Sequence, residues 1–268
     1  MVSTSAPTLQ EIIIRPYTPR HNSFPYGAKD FERPDEAPDK VFYTSPRFVT
    51  HIDDNAILSL SDYYSRNLPP SGRILDFCSS WISHFPKELS ERAVASNRSV
   101  AVSASDEEKS VSGNHDEKML EVIGIGLNAE ELSANPILKS SIVQDLNTKP
   151  QIPSSVSSLD ASTCVVSIEY LTKPVEVLTS VLERTKVGGK IHLVVSNRMF
   201  AQKAIHRWSR IGEEEKLQMV GDFLWWAGWR DVEICTLTDG KAENGVFSGI
   251  LGGFRDPLWV VRGTKPAQ

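Results

Sequence analysis

The feature that most limits this chain is the spacing of its apolar runs. Short strand-like runs alternate with helical patterns five times, and two strand-like runs then follow with only a loop between them. Alternation of this kind builds a parallel sheet with helices on both faces, and two adjacent terminal strands add an antiparallel pair at one edge. The expected fold class is therefore α/β, a doubly wound sheet of seven strands whose last two are antiparallel. With 268 residues, 40% of them hydrophobic, one core-forming domain is expected.

The individual elements read as follows. A helix is expected from Asp54 to about Leu68, with Ile57, Leu60, Tyr64 and Leu68 on one face, an aspartate cap, and Pro69-Pro70 as its stop. The first strand, Arg73 to Phe77, follows directly. Trp81 to about Leu89 reads as the start of the first crossover helix. "EVIGIGLN" is the second strand, and Asn128 with Glu131 marks the start of the next helix. "SSIVQDLN", "SLDASTCVVSIEYL" and "KIHLVVSN" hold the third, fourth and fifth strands. Pro174 opens a helix expected to stop at Gly188-Gly189, and a longer helix spans Glu213 to Ala227. "DVEICTL" and "PLWVVRG" close the chain.

Two segments stand apart. Residues 1 to about 40 carry six of the 16 prolines and little periodicity, so they are expected to form an irregular or disordered arm before a single domain over 41–268. Residues 91–118 are rich in Ser, Asp, Glu and Lys and read as a low-complexity surface insertion, too poor in large apolar groups to order itself.

Composition excludes several functions. A net charge of −5 argues against sequence-independent binding of nucleic acid. Cys78, Cys164 and Cys235 lie far apart in apolar runs and fit neither a metal site nor a disulfide framework. No apolar run approaches the roughly 20 residues that span a bilayer, and a soluble, cytoplasmic protein is the expectation. A nicotinamide-dependent dehydrogenase would need G-x-G-x-x-G after the first strand, where this chain has "CSSWIS".

The order of elements, together with "RILDFCSS", "VIGIGLNAEEL", "VQDLN", "LDASTCVVSIEYLTKPVEVL" and "VGGKIHLVVSNR", resembles the class I S-adenosylmethionine-dependent methyltransferases over about residues 41–265. More narrowly, "FYTSPRFVTHIDDNAI", "LDFCSSW" and "VSIEYLTKP" resemble little-characterised methyltransferases of the type 11 kind. The resemblance implies S-adenosylmethionine as cofactor and a small-molecule acceptor. It puts Asp76 at the acid of the first-strand motif, with Cys78, Ser79 and Ser80 in the loop that usually carries glycines. It puts Gly126, Leu127 and Asn128 at the ribose, Asp145 and Leu146 at the adenine, and Ser167 at the end of the fourth strand. Two departures are visible: the first loop lacks glycine, and Gly126 stands where a ribose-binding carboxylate is usual. Serine hydroxyls are expected to serve the loop, with Asn128 or Glu130 replacing the ribose acid.

Among the remaining candidates, His84 reads as a general base and Tyr170 as a catalytic or pocket-lining residue. Trp81, Asn197 and Arg198 read as substrate contacts at the strand ends, with Arg198 as a holder of an anionic group. Residues 41–55 and 198–212, including Arg47, His51 and His206 to Trp208, are expected to cap the site. The missing ribose acid also motivates a second reading, a methyltransferase fold retained as a binding or scaffold module.

Overall fold

The computed structural model describes residues 11–103, 119–240 and 255–267. Eight strands form one sheet: β1 (Ile13–Pro16), β2 (Gly72–Phe77), β3 (Leu120–Gly126), β4 (Leu138–Val143), β5 (Leu159–Val165), β6 (Thr185–Ser196), β7 (Arg230–Thr238) and β8 (Leu258–Thr264). Their order across the sheet is β1-β7-β8-β6-β5-β2-β3-β4. β2 pairs in parallel with β3 on one side and β5 on the other, so the strand order reverses at β2. β8 runs antiparallel between β6 and β7. Without β1, this is the seven-stranded Rossmann-like arrangement expected of the methyltransferase class.

The central strands read as unbroken apolar runs because both of their faces are covered. Helix α2 (Asp54–Asn67) and helix α3 (Lys87–Ser103) lie on one face, where Leu60, Tyr64 and Leu89 meet Ile74, Leu120, Val122 and Val260. Helix α5 (Pro174–Arg184) and helix α6 (Glu213–Trp226) lie on the other, packing Val177, Val181 and Phe223 with Leu75, Ile123 and Ile191. Ile74 and Leu75 thus serve opposite cores, as successive residues of a strand must. Two short α-helices, α1 (Asp39–Phe42) and α4 (Ala129–Ala134), complete the α-helices of the described residues.

Four sequence-based expectations change. The first 40 residues include an edge strand: β1 pairs antiparallel with β7, so the β7–β8 pair sits one strand in from the edge. Behind β1, the hydroxyls of Tyr17 and Tyr26 each donate to Asp222 of α6 at 2.5 Å. The low-complexity segment starts later than its composition suggests, because 91–103 continue α3; residues 104–118 lie outside the described ones. The first crossover helix begins at Lys87 rather than Trp81, leaving Trp81 to Phe85 as irregular chain. Finally, α5 ends at Arg184, and Gly188-Gly189 lie inside β6. There the register passes from Leu159 opposite Thr185 to Ala161 opposite Lys190, a bulge that Gly188 accommodates with φ +78°. Among the described residues no helix is long and apolar enough to cross a membrane.

Candidate functional site

A cavity of about 560 Å³ opens beyond the carboxyl ends of β2 to β6, where the strand order reverses. Such a crevice is the usual ligand position in open parallel sheets. Its floor is the turn after β2. Asp76, buried at the strand end, accepts hydrogen bonds from Ser79 Oγ and Ser83 Oγ on Oδ2 (2.7 Å each) and from Thr163 Oγ1 on Oδ1 at 2.9 Å. Burial raises its pKa, and the three hydroxyls counter that rise by stabilising the carboxylate.

The turn keeps a glycine-like shape without a glycine. Cys78 holds φ +56°, the left-handed region that side chains disfavour. Ser79 then folds toward β3, its N–H donating to the Ile125 carbonyl at 2.7 Å. A Cβ on Gly126 would lie 2.2 Å from the Ser79 carbonyl oxygen. The two sequence departures meet in space: the glycine-free turn lies against the end of β3, where Gly126 leaves room for the Ser79 carbonyl.

The hydroxyls expected to face a ligand are engaged within the protein. Ser79 Oγ serves Asp76, and Ser80 Oγ donates to Glu131 Oε2 at 2.6 Å. Asn128 is engaged as well. Its Oδ1 caps α4 by accepting from Glu130 N and Glu131 N, and its Nδ2 donates to the carbonyls of Tyr43 and Thr44. Glu130 is exposed and does not line the cavity. The carboxylate that does line it from α4 is Glu131, which also accepts the Arg47 N–H at 2.7 Å. Spacing suggested Glu131 as a capping-box residue, which hid its position on the cavity wall. Asp145, Leu146 and Ser167 line the cavity. The Asp145 carboxylate accepts from Asn147 N, Thr148 N and Thr148 Oγ1, and Ser167 Oγ donates to the Val165 carbonyl.

His84 sits in the irregular segment before α3, with φ +57° and only 9% exposure. Its Nδ1 is buried without a hydrogen-bond partner. Burial, with a smaller effect from nearby His51, lowers its pKa to about 4, so the imidazole is neutral at pH 7. Trp81 lines the cavity and donates Nε1–H to the Val49 carbonyl at 3.2 Å. The Tyr170 hydroxyl accepts from Phe200 N at 2.8 Å. Arg198 lines the cavity with its Nε donating to Asp256 Oδ1 at 2.6 Å, so the group expected to hold an anion is already paired with a carboxylate. Asn197 lies outside the cavity wall, exposed beyond β6.

The roof comes from the chain before α2 and the chain after β6. Asp39, Tyr43, Arg47 and His51 line the cavity there together with Met199 and Phe200, whose ring packs on His51 (5.4 Å) and on the Arg47 guanidinium (4.9 Å). Asp39 fastens this roof: it accepts from Arg33 Nη1 and Asn147 Nδ2 at 2.9 Å and pairs with Lys203 at 3.3 Å. Residues 201–212 do not reach the cavity. His206 N–H donates to the Glu32 carbonyl, Arg207 pairs with Asp30, and Trp208 is buried in the core. Among the described residues no cluster of three or more His, Cys, Asp or Glu side chains could hold a metal ion.

No protein-family model and no curated protein matches the chain. Solved structures align with it at low identity. One is a SAM-dependent methyltransferase from Thermotoga maritima, a possible histamine N-methyltransferase: 15% identity, 78% of this chain and 89% of that one, TM-score 0.46. A SAM-dependent methyltransferase from Archaeoglobus fulgidus aligns at 13% identity over 78% of this chain and 94% of its own, TM-score 0.45. A third is phosphoethanolamine N-methyltransferase 2 of Haemonchus contortus, solved with phosphomonomethylethanolamine and S-adenosylhomocysteine: 13% identity, 78% of this chain, TM-score 0.45. The chain spans about half the length of that last enzyme, 52%.

Proposed function

We propose that the chain is an S-adenosylmethionine-dependent methyltransferase acting on a small organic molecule. The observation that carries this reading is the placement of one cavity over the reversal of strand order, floored by the Asp76 turn and walled by Gly126 to Asn128 and by Asp145-Leu146. Its volume lies in the range of small-molecule sites, roughly 300–1,000 Å³. The cofactor fits this donor set: the left-handed Cys78 keeps the turn in the shape that glycine gives in the family, and the unpartnered His84 Nδ1 leaves a polar atom for a bound group.

S-adenosylmethionine, when bound, supplies an electrophilic methyl group. The protein's part is alignment and exclusion of water. Asp76 fixes the turn through three hydroxyls, and Glu131 ties Ser80 to the roof through the Arg47 N–H. His84, neutral at pH 7, is an acceptor for a proton or hydrogen bond from the substrate. The roof of 39–53 and 199–200 closes the crevice from above.

A second reading, a binding module on a methyltransferase fold, is favoured by the engagement of Ser79, Ser80 and Asn128 within the protein and by the lack of a side chain at Gly126. Calorimetric titration with S-adenosylmethionine and S-adenosylhomocysteine separates the two. Binding of both, weakened in a folded Asp76→Asn variant, supports the enzyme. Absence of binding at millimolar ligand leaves the binding module.

A further inference from the structure

We propose that the cavity takes a small organic anion, a carboxylate or a phosphate monoester on an apolar body, with Arg47 receiving the anionic group. On the methyl-transfer reading, on which this rests for its chemistry, that anion is the acceptor.

The charged side chains of the cavity divide into those that have partners and those that do not. Six carboxylates line it, and each has partners within the protein. Asp39 is held by Arg33, Lys203 and Asn147, and Asp76 by three hydroxyls. Glu131 is held by the Arg47 N–H and Ser80, and Asp145 by its own turn. Asp53 caps α2 and accepts the Asp256 N–H, while Asp256 accepts from Asp53 N and Arg198. Arg198 is thereby neutralised.

Arg47 is not. Among the described residues no carboxylate lies within ion-pair distance of its guanidinium, and its one hydrogen bond there is from Nη2 to the Phe42 carbonyl at 3.3 Å. Three rings surround it, with centroids at 4.3 Å (Phe42), 4.9 Å (Phe200) and 5.7 Å (Tyr43). These rings attract the cation and fix its position, but satisfy none of its five N–H donors. A planar fork held this way suits a carboxylate or phosphate. His84 lies on the same cavity wall. The neighbouring surface is apolar, with Ile52, Trp81, Tyr170, Leu171, Met199 and Phe200. It would receive the body of the molecule.

The test is a fluorescence titration of the full chain with benzoate, phenyl phosphate, benzyl alcohol and benzylammonium, for wild type, Arg47→Gln and Arg47→Lys. Calorimetry with S-adenosylhomocysteine and 5′-methylthioadenosine runs beside it. The expected result is that an anion binds wild type about tenfold or more tighter than benzyl alcohol, the scale of a hydrogen bond to a charged group. Arg47→Gln should erase that margin and Arg47→Lys restore part of it, with S-adenosylhomocysteine affinity unchanged. Benzoate and phenyl phosphate, compared with each other, distinguish carboxylate from phosphate. Equal binding of the anions and benzyl alcohol by wild type overturns the proposal. So does an Arg47→Gln variant that loses S-adenosylhomocysteine but keeps 5′-methylthioadenosine, since that gives Arg47 to the donor's own carboxylate. Anion selectivity without any binding of S-adenosylhomocysteine supports the Arg47 site and removes the methyl-transfer reading alone.

Discussion

Gly126 stands against the carbonyl of Ser79 so closely that a Cβ on it would lie 2.2 Å from that oxygen. Backbone cannot yield as a flexible side chain can, so Gly126→Ala should displace the turn after β2. We expect a loss of roughly 1–3 kcal/mol in chemical denaturation, the scale of overpacking, together with weaker cofactor binding. Gly126→Asp, which places there the carboxylate usual in the methyltransferases that the sequence resembles, should fare worse rather than better. An aspartate variant with unchanged stability and tighter binding of S-adenosylhomocysteine would contradict this account.

Glu169, in the 3-10 turn Ile168–Tyr170 that follows β5, is 1% exposed with Oε2 unpartnered, and burial pushes its pKa up to about 8 from 4.5. Its folded pKa lies above its unfolded one, so the stability held by the protonated form is complete below about pH 4.5 and is lost as pH rises toward 8. Each pH unit in that window should cost about 1.4 kcal/mol. Glu169→Gln keeps the shape and removes the titration. The gap between variant and wild type in midpoint denaturant should widen from pH 5 to pH 8; parallel curves would show that the carboxyl is already ionised at pH 5.

Lys203 is fully buried, with Nζ 3.0 Å from Asp35, 3.3 Å from Asp39 and donating to the Ala37 carbonyl at 2.7 Å. It joins the chain after β6 to the segment that roofs the cavity. Removing Lys203 leaves buried Asp39 with Arg33 and Asn147 and leaves Asp35 partly in water, so the loss is that of the charge-assisted bonds, about 1.5–3 kcal/mol. Lys203→Met should therefore destabilise strongly, and limited proteolysis should cut first within 33–50. Cleavage that begins elsewhere would show that the roof is held by other contacts.

What the sequence made legible was whatever a local pattern enforces. The run Asp54 to Leu68 is a helix because its apolar spacing, its aspartate cap and Pro69-Pro70 agree, and α2 ends at Asn67. The parallel centre was legible because Ile74, Leu75 and their counterparts form runs that only a twice-covered strand tolerates. Long-range pairings were not. Nothing local in "IIRP" announces an edge strand on β7, and the mid-helix Gly221 makes sense only once the Tyr17 ring is seen 2.3 Å from where its Cβ would be. The site divides the same way. The motif pointed to Asp76, Ser79 and Ser80, which the fold places in the turn that floors the cavity, whereas the pairing of Arg198 with Asp256, 58 residues away, left no trace in spacing. Glu131 was seen only as a capping residue because one side chain can satisfy a local pattern and a distant partner alike.

His84 should titrate far below an ordinary histidine. Burial lowers its pKa to about 4, with His51 as the second cause, and the neutral ring is left with an unpartnered Nδ1. A folded pKa below the unfolded value of 6.5 means that the unfolded chain binds the proton first. Stability is then fully present above pH 6.5 and falls as pH drops toward 4. His192, buried with its pKa lowered to about 3, contributes in the same direction, so the variant must separate them. Asparagine tolerates the left-handed backbone at this position better than most residues, which makes His84→Asn the clean substitution. Its acid-side loss of stability should be shallower than that of wild type between pH 6.5 and 4. In the wild type, imidazole nitrogen shifts should keep two rings neutral through pH 5.5, those of His84 and His192, and the one absent from the variant is that of His84. A ring at residue 84 titrating near 6.5 would place the imidazole in water, and with it would go the case for His84 as the neutral acceptor on the cavity wall.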